Sequence, residues 1–188
     1  VGKRIHGLQI WVAMPKELEQ SAPSFHHVNE DELPHWEENG VSFRLIAGKA
    51  LGKESPVPVH SNLFLLEIRS TTEQTIDLGE QLYGESGLYI LEGSISQDEH
   101  QHGPKQILVA KEGSLCRFKI AANSAIFIFG GDVFPEERYI YWNFVASSQE
   151  IIEKAKQRWT DQQFDPVPGE TTFVPLPPQN NAFKPKQS

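Results

Sequence analysis

The chain has 188 residues, of which 38% are hydrophobic, so we expect one domain with room for a linker and a tail. No stretch approaches the roughly 18 consecutive apolar residues of a membrane-spanning helix, and we expect no secretory signal. The formal net charge of −8 argues against direct nucleic-acid binding, which depends on Lys and Arg contacts to phosphates. The single cysteine excludes an internal disulfide and suits a reducing compartment, so we expect a cytoplasmic location.

The first 40 residues predict an apolar strand followed by an irregular linker between domains. Apolar residues alternate at Leu8, Ile10 and Val12, with Trp11 and Ala13 between them, so both faces of this strand should be partly buried. Because an N-terminus is usually more polar, we expect further sequence in front of this strand. Residues 16–40 are polar and predict a loop with one helical turn. Three of the seven histidines lie there: His26, His27 and His35.

From residue 41 onward, strand patterns recur about every ten residues, with turn residues between them. This regular spacing is typical of an all-β sandwich or barrel. A short apolar run closed by glycine, Gly87–Ile95, predicts a central strand. Residues 48–58 and 96–104 predict loops. The other predicted strands are Val41–Ala47, Leu63–Arg69, Gln74–Leu78, Lys105–Ala110, Leu115–Ile120, Ala125–Phe129 and Tyr139–Val145.

One amphipathic helix is predicted over residues 147–161. Ser147 is followed three residues later by Glu150, which is the pattern of a capping box. Ile151, Ala155 and Trp159 form one apolar stripe, which we interpret as core packing. Residues 165–188 are rich in proline and polar side chains, and they predict an extended tail along a surface.

Several of these stretches resemble the pirin family. The sequence of His6–Pro15 is similar to the family signature His-Gly-Leu-Gln-Leu-Trp-Val-x-Leu-Pro. Val41–Gly48, which ends in Ile46-Ala47-Gly48, and Ser55–Val57 match the next blocks of the family pattern. Trp142–Val145 and Phe164–Pro177 resemble the C-terminal end of the longer bacterial pirins. The resemblance therefore covers nearly the whole chain, although the strands between these motifs are generic.

Pirins are bicupins built from two jelly rolls, and the signature follows the first of them. The resemblance implies a cupin-type jelly-roll β-sandwich at residues 41–164, with its terminal helix at 147–161 and a tail at 165–188. This chain would then be the C-terminal part of a longer pirin-like protein whose first cupin is absent here. Pirins hold a non-haem iron in that first cupin with three His and one Glu, so we expect the iron there and not in this chain.

The spacing of a cupin metal motif tests whether this half has a site of its own. The motif has His-x-His, three or four residues, Glu, six residues and Gly. Anchoring the glycine on Gly93 places the Glu at Ser86. The histidines would fall at Glu80 and Leu82, or at Gly79 and Gln81. Residues 113–129, which should supply another His, contain none. We therefore predict no catalytic, cofactor-binding or metal-ligating residue, because iron needs a set of His and carboxylate donors.

The histidines and the cysteine that remain have simpler interpretations. His100 and His102 could bind a metal through two imidazoles, but a predicted loop between strands is usually a solvated tip. The adjacent His26 and His27 are interpreted as surface residues. Cys116 is interpreted as a buried, unreactive thiol, since a nucleophile needs electropositive surroundings. The other histidines are interpreted as structural residues: His6, His35 and His60.

Two classes of function follow from the resemblance. Some pirins act as quercetin 2,3-dioxygenases through the first-half iron, and this chain would then be a metal-free structural or binding half. Alternatively, it is an interaction module for transcription factors or metabolic enzymes, since its acidic charge suits a basic partner surface. The expected partner is the missing first cupin, or a second copy bound through the exposed apolar face.

Overall fold

The computed structural model of the protein describes residues 7–110 and 117–178. Within these ranges the chain forms thirteen strands, two short 3-10 turns and one α-helix. The strands are β1 His35–Glu38, β2 Val41–Ala50, β3 Lys53–Glu54, β4 Leu63–Ser70, β5 Gln74–Asp77, β6 Glu85–Glu92, β7 Ile95–Gln97, β8 His100–His102, β9 Ile107–Ala110, β10 Arg117–Ile120, β11 Ser124–Gly131, β12 Tyr139–Tyr141 and β13 Phe144–Ala146. The 3-10 turns are Glu30–Glu32 and Gly79–Gln81, and the helix α1 is Gln149–Thr160.

The chain divides into two compact units, which are described separately. The sheet unit is Ala22–Val133 and contains β1 to β11. The helix unit combines the described parts of Val1–Ser21 and Phe134–Ser188, and it contains β12, β13 and α1. The domain boundaries predicted at residues 40 and 164 stay a prediction. In the described ranges, no helix is long and apolar enough to cross a membrane.

Two antiparallel sheets form the sheet unit. The larger sheet has the strand order β1-β2-β4-β11-β6-β9, with β3 beside β2, and the smaller sheet has the order β5-β10-β7-β8. The strand β6, predicted as central, lies between β11 and β9. Together with the single helix, these sheets confirm the all-β sandwich predicted from the sequence.

The core between the sheets is one cluster of apolar side chains. Leu66, Leu88 and Ile126 come from the larger sheet, and Ile95 and Ile120 come from the smaller one. None of these five side chains is more than 1% exposed. Burying one such side chain stabilises the fold by about 1.5–3 kcal/mol. The core therefore holds the two sheets face to face.

Gly93 ends the central strand because no other residue fits its position. Its φ of 73° lies in the left-handed region that favours glycine. A Cβ atom at Gly93 would overlap the side chain of Ser124. That side chain is fixed in place, because its hydroxyl oxygen accepts a hydrogen bond from the backbone N–H of Ser94 (3.1 Å).

The prediction of a strand from Leu8 to Val12 was wrong. Residues 7–15 form no regular secondary structure. Trp11 and Val12 are 57% and 55% exposed, where the prediction required partial burial on both faces. A strand forms only when a neighbouring strand pairs with its backbone, and no strand of the described residues pairs with this segment.

The histidines predicted to lie in a loop belong to the edge strand β8, so that prediction was also wrong. Gln97 pairs with His100, and the turn between them consists of Asp98 and Glu99 alone. Both turn residues have positive φ, 46° and 64°. This is the backbone that a two-residue hairpin turn requires, because it matches the twist of the strands.

The helix unit is built from α1 and the hairpin of β12 and β13. The predicted strand over residues 139–145 is divided by a turn at Trp142, whose φ is 52°. The helix starts at Gln149, two residues later than predicted. Its cap is Ser148, whose hydroxyl oxygen accepts a hydrogen bond from the backbone N–H of Ile151 (3.4 Å). The predicted cap, Ser147, has a different partner.

Candidate functional site

The motif positions of a metal-binding cupin hold no imidazole. Leu82 is partly buried and packs against the apolar core. Ser86 lies on β6, where it pairs with Ala110 and Gly130 of the neighbouring strands. Gly79–Gln81 form a 3-10 turn ahead of that strand. The side chains described at these positions therefore supply no ligand set.

The space between the sheets, where a jelly roll would hold a metal, is filled by apolar side chains. Leu88, Ile90, Ile126 and Ile128 are all fully buried there. In residues 7–110 and 117–178, no group of three His, Cys, Asp or Glu side chains could hold a metal ion. A non-haem iron needs imidazole and carboxylate donors, so the residues described here do not fit an iron site of the kind that the resemblance implies for the first cupin.

The histidines are spread over the surface. His100 and His102 lie two residues apart on β8 and so share one face of it. The Nδ1 atom of His100 is hydrogen-bonded to the carbonyl oxygen of Asp98 (2.8 Å). The Nε2 atom of His27 lies 3.1 Å from Oδ1 of Asn29. Three further histidines are exposed: His26, His35 and His60. His6 and Cys116 lie outside the described residues.

Among the described residues one carboxylate is buried, and both of its oxygens accept hydrogen bonds. Glu67 on β4 is 6% exposed and alternates with core residues, so it lies on the outer face of the larger sheet. Its Oε2 accepts from Nη1 of Arg44 (2.9 Å), and its Oε1 accepts from Nε of Arg69 (2.6 Å). Arg44 also pairs with Glu30. Buried charges require such partners, so Glu67 is a structural group with no free oxygen for proton transfer.

The helix unit carries an apolar groove of about 500 Å³. Ile140 and Val145 are paired across the hairpin and share one of its faces, while the helix packs on this hairpin as well. The groove combines this face with the N-terminal segment that carries Trp11. Its lining residues are Ile10, Trp11, Val12, Ala13, Arg138, Ile140, Asn143 and Val145.

Arg138 fastens this segment to the hairpin and leaves the groove without a free positive charge. Its side chain is 10% exposed, and its Nη2 lies 2.9 Å from a carboxylate oxygen of Glu136. The same nitrogen donates to the carbonyl oxygen of Met14 (3.1 Å). The guanidinium also lies over the ring of Phe134, 4.4 Å from its centroid. Because its charge is already matched, the groove suits an apolar surface better than an anion.

A second surface of the helix unit is aromatic, and we call it the aromatic surface. Trp142 and Trp159 are the closest pair, with ring centroids 5.0 Å apart. Phe144 stacks on Phe164 with centroids 6.0 Å apart. Its members are Tyr141, Trp142, Phe144, Trp159 and Phe164, and the segment 173–177 of the tail lies on it.

Sequence reasoning missed the role of this surface. Trp159 was interpreted as part of a core stripe, yet its indole N–H donates to the carbonyl oxygen of Val174 (2.8 Å). The signal available in the sequence was the coincidence of several aromatic residues with a proline-rich tail close behind them. The sequence predicts that the tail runs along a surface, but nothing in its pattern identified which one.

A family model described as the Pirin C-terminal cupin domain matches residues 65–165, which is more than half of the chain. The chain belongs to the pirin family. The match confirms the resemblance to pirins and the cupin type of the sandwich.

The relatives are longer than this chain. A pirin-like protein of Caulobacter vibrioides is 39% identical over 179 residues, which are 94% of this chain and 61% of that protein. Human pirin is 26% identical over 80% of this chain and 54% of its own length. The crystal structure of a quercetin 2,3-dioxygenase from Acinetobacter baumannii superposes with a TM-score of 0.78 at 23% identity, covering 93% of this chain and 59% of that one. At that identity the structural likeness shows the fold alone.

Proposed function

We propose that this chain is a metal-free cupin module of a pirin-type protein, with a structural and docking role. In this proposal, any quercetin 2,3-dioxygenase-type chemistry with non-haem iron belongs to the other cupin of the parent protein. The observation that carries the proposal is the jelly-roll interior, which is closed by buried aliphatic side chains where a metal-bearing cupin needs donors. A cytoplasmic location is part of the same proposal.

The docking role is supported by the apolar groove. Trp11, Val12 and Ile140 are 57%, 55% and 51% exposed on neighbouring parts of one surface. Contiguous exposed apolar surface of this kind marks a protein interaction site more often than a chance feature. The proposed occupant is the metal-bearing cupin of the parent protein, and a second copy of this chain takes its place when that cupin is absent.

The metal is tested by elemental analysis of the whole chain, purified without added metal and without a His tag. We expect a transition-metal content near zero per chain, and no oxygen-dependent loss of flavonol after iron(II) is supplied. A content near one that falls to zero in the His100→Ala, His102→Ala double variant would overturn the proposal. Flavonol consumption by the iron-loaded chain would overturn it as well.

The docking role is tested by light scattering over a range of protein concentrations. We expect the chain to self-associate, and the substitution Ile140→Asp to keep it monomeric because a carboxylate cannot be buried without a partner. The matched control is Val109→Asp in the sheet unit, where the side chain is 77% exposed. A wild-type chain that stays monomeric at every concentration would contradict this part of the proposal.

A further inference from the structure

The tail lies on the aromatic surface through a ring contact and two hydrogen bonds. Phe173 stacks on Trp159 with centroids 5.6 Å apart. The indole N–H of Trp159 donates to the carbonyl oxygen of Val174 (2.8 Å), and the hydroxyl of Tyr141 donates to the carbonyl oxygen of Pro177 (2.9 Å). Both donors are side-chain groups of aromatic residues, and both acceptors are backbone atoms of the tail. The contact therefore selects a backbone shape and an aromatic anchor.

The spacing of the two acceptors indicates which backbone shape is selected. Val174 and Pro177 are three residues apart, and a polyproline II helix has three residues per turn. Carbonyl groups at this spacing lie on the same side of such a helix. Prolines at 175, 177 and 178 fix φ near the value of that helix. Val174, Leu176 and Pro177 each precede a proline, which favours an extended backbone.

We propose that the aromatic surface is a docking site for proline-rich extended peptides and that the tail of the chain itself occupies this site here. The partner is a protein segment that carries an aromatic anchor followed by prolines at the spacing of Phe173–Pro178. Aromatic-lined grooves bind proline-rich segments because these segments are already ordered before binding and lose little entropy. A partner segment replaces the tail on the aromatic surface, and the free tail binds again when the partner dissociates.

The tail is held loosely enough for such an exchange. Phe173 remains 44% exposed and Val174 remains 60% exposed while they are docked. The tail competes mainly because it is tethered, since a short flexible linker gives an effective concentration in the millimolar range. A free peptide with the same contacts must overcome that advantage. Weakening the contact between the tail and the aromatic surface should therefore raise the apparent affinity of that surface for the free peptide.

The test uses the full-length chain and a labelled synthetic peptide with the sequence of residues 170–178. The variant Phe173→Ala removes the anchor of the tail, while the peptide keeps its own phenylalanine. We expect the peptide to bind this variant at least ten-fold more tightly than the wild-type chain. A peptide with all its prolines replaced by alanine should lose most of this affinity.

Two further variants test whether the peptide binds to the aromatic surface. In the Phe173→Ala background, Trp159→Phe and Tyr141→Phe each keep a ring and remove one donor. We expect each of them to weaken peptide binding by about 2- to 12-fold, the equivalent of one hydrogen bond. The control is Trp36→Phe in the sheet unit, which should leave peptide binding unchanged.

Hydrogen exchange of the Trp159 indole N–H, which donates to the tail carbonyl of Val174, shows whether the tail has been released. If exchange is faster in Phe173→Ala but no peptide binds at millimolar concentration, the proposal is overturned. Unchanged exchange in that variant also overturns it, because Phe173 would then not be the anchor. If neither Trp159→Phe nor Tyr141→Phe changes peptide binding, the peptide binds elsewhere and the aromatic surface is not its docking site.

Discussion

Glu19 and Ser147 are joined by two hydrogen bonds although 128 residues separate them in the sequence. The Glu19 carboxylate accepts from the backbone N–H of Ser147 (2.8 Å) and from its hydroxyl (2.7 Å). Both residues belong to the helix unit, so this contact fixes the N-terminal segment to the start of the helix region. The Ser147 hydroxyl is directed toward Glu19, and the helix cap is Ser148.

We expect Glu19→Gln to loosen this contact. An amide keeps the size of the side chain but loses the charge and replaces one acceptor with a donor. Hydrogen bonds to charged groups contribute about 1.5–3 kcal/mol, so the local opening free energy should fall by roughly that amount. The measurement is hydrogen exchange at the amide of Ser147. The exposed Glu17 supplies the control Glu17→Gln, and equal effects of the two substitutions would contradict this account.

Replacing the observed cap should destabilise the first turn of the helix. In Ser148→Ala the backbone N–H of Ile151 loses its acceptor. The expected cost is about 1 kcal/mol, the usual value for losing a serine cap. Exchange of the Ile151 amide measures it. Ser147→Ala is the matched comparison, and it should release the Glu19 segment while leaving this amide protected. The reverse result would restore the cap predicted from the sequence.

The ion pairs of Glu67 should differ in their contribution to stability. In Arg44→Ala one oxygen of a buried carboxylate loses its partner, so we expect the free energy of unfolding to fall by about 1–3 kcal/mol. Arg69 is 50% exposed, and Arg69→Ala should cost less. Urea denaturation measures both variants. The control is Arg117→Ala, because its pair with Asp77 is long (4.0 Å) and exposed and contributes about 0–1 kcal/mol. Equal losses in all three would refute this ranking.

The turn that precedes the docked tail should loosen in acid. The Glu170 carboxylate accepts hydrogen bonds from the backbone N–H and the hydroxyl of Thr172 (2.7 and 2.8 Å), and the backbone bond is the main cause that lowers the pKa of Glu170. Because the pKa is lowered by folding, the stabilisation is complete above the ordinary carboxyl value of about 4.3 and is lost as the pH falls through the folded value.

An NMR titration of the Glu170 side chain and the Thr172 amide measures this transition. We expect both signals to shift together as the pH falls below the ordinary carboxyl range. In Glu170→Gln the amide of Thr172 should no longer respond in this range. Glu150 provides an internal comparison, since its pKa is lowered mainly by a hydrogen bond with Lys154 and has no connection to the turn. A Thr172 amide that titrates unchanged in Glu170→Gln would count against this origin of the pH dependence.

The strands could be predicted where the local pattern and the tertiary environment agree. The strand predicted as Leu63–Arg69 is observed as Leu63–Ser70, because alternating side chains on it enter the core. The segment Leu8–Val12 has an equally apolar pattern but no pairing strand among the described residues. Pairing depends on residues far away in the sequence, so the local pattern could not reveal its absence.

The candidate site shows the same division. The absence of histidines from the cupin motif positions could be derived by counting residues from Gly93. The sequence could not reveal the apolar groove at Ile140 or the hydrogen bonds between Glu19 and Ser147, because each joins segments more than 100 residues apart. Trp159 and Val174 are close in the sequence, but their contact depends on the direction of the Trp159 side chain, which sequence patterns do not determine.

The close pair of Trp142 and Trp159 gives this protein a built-in optical reporter. Their rings are 5.0 Å apart and inclined by 72°, so their electronic transitions couple and produce a paired band in circular dichroism. Trp36 stacks on Phe43 in the sheet unit. Because the tail binds the indole of Trp159 directly, its departure changes the coupled band and can be followed in solution without an added label.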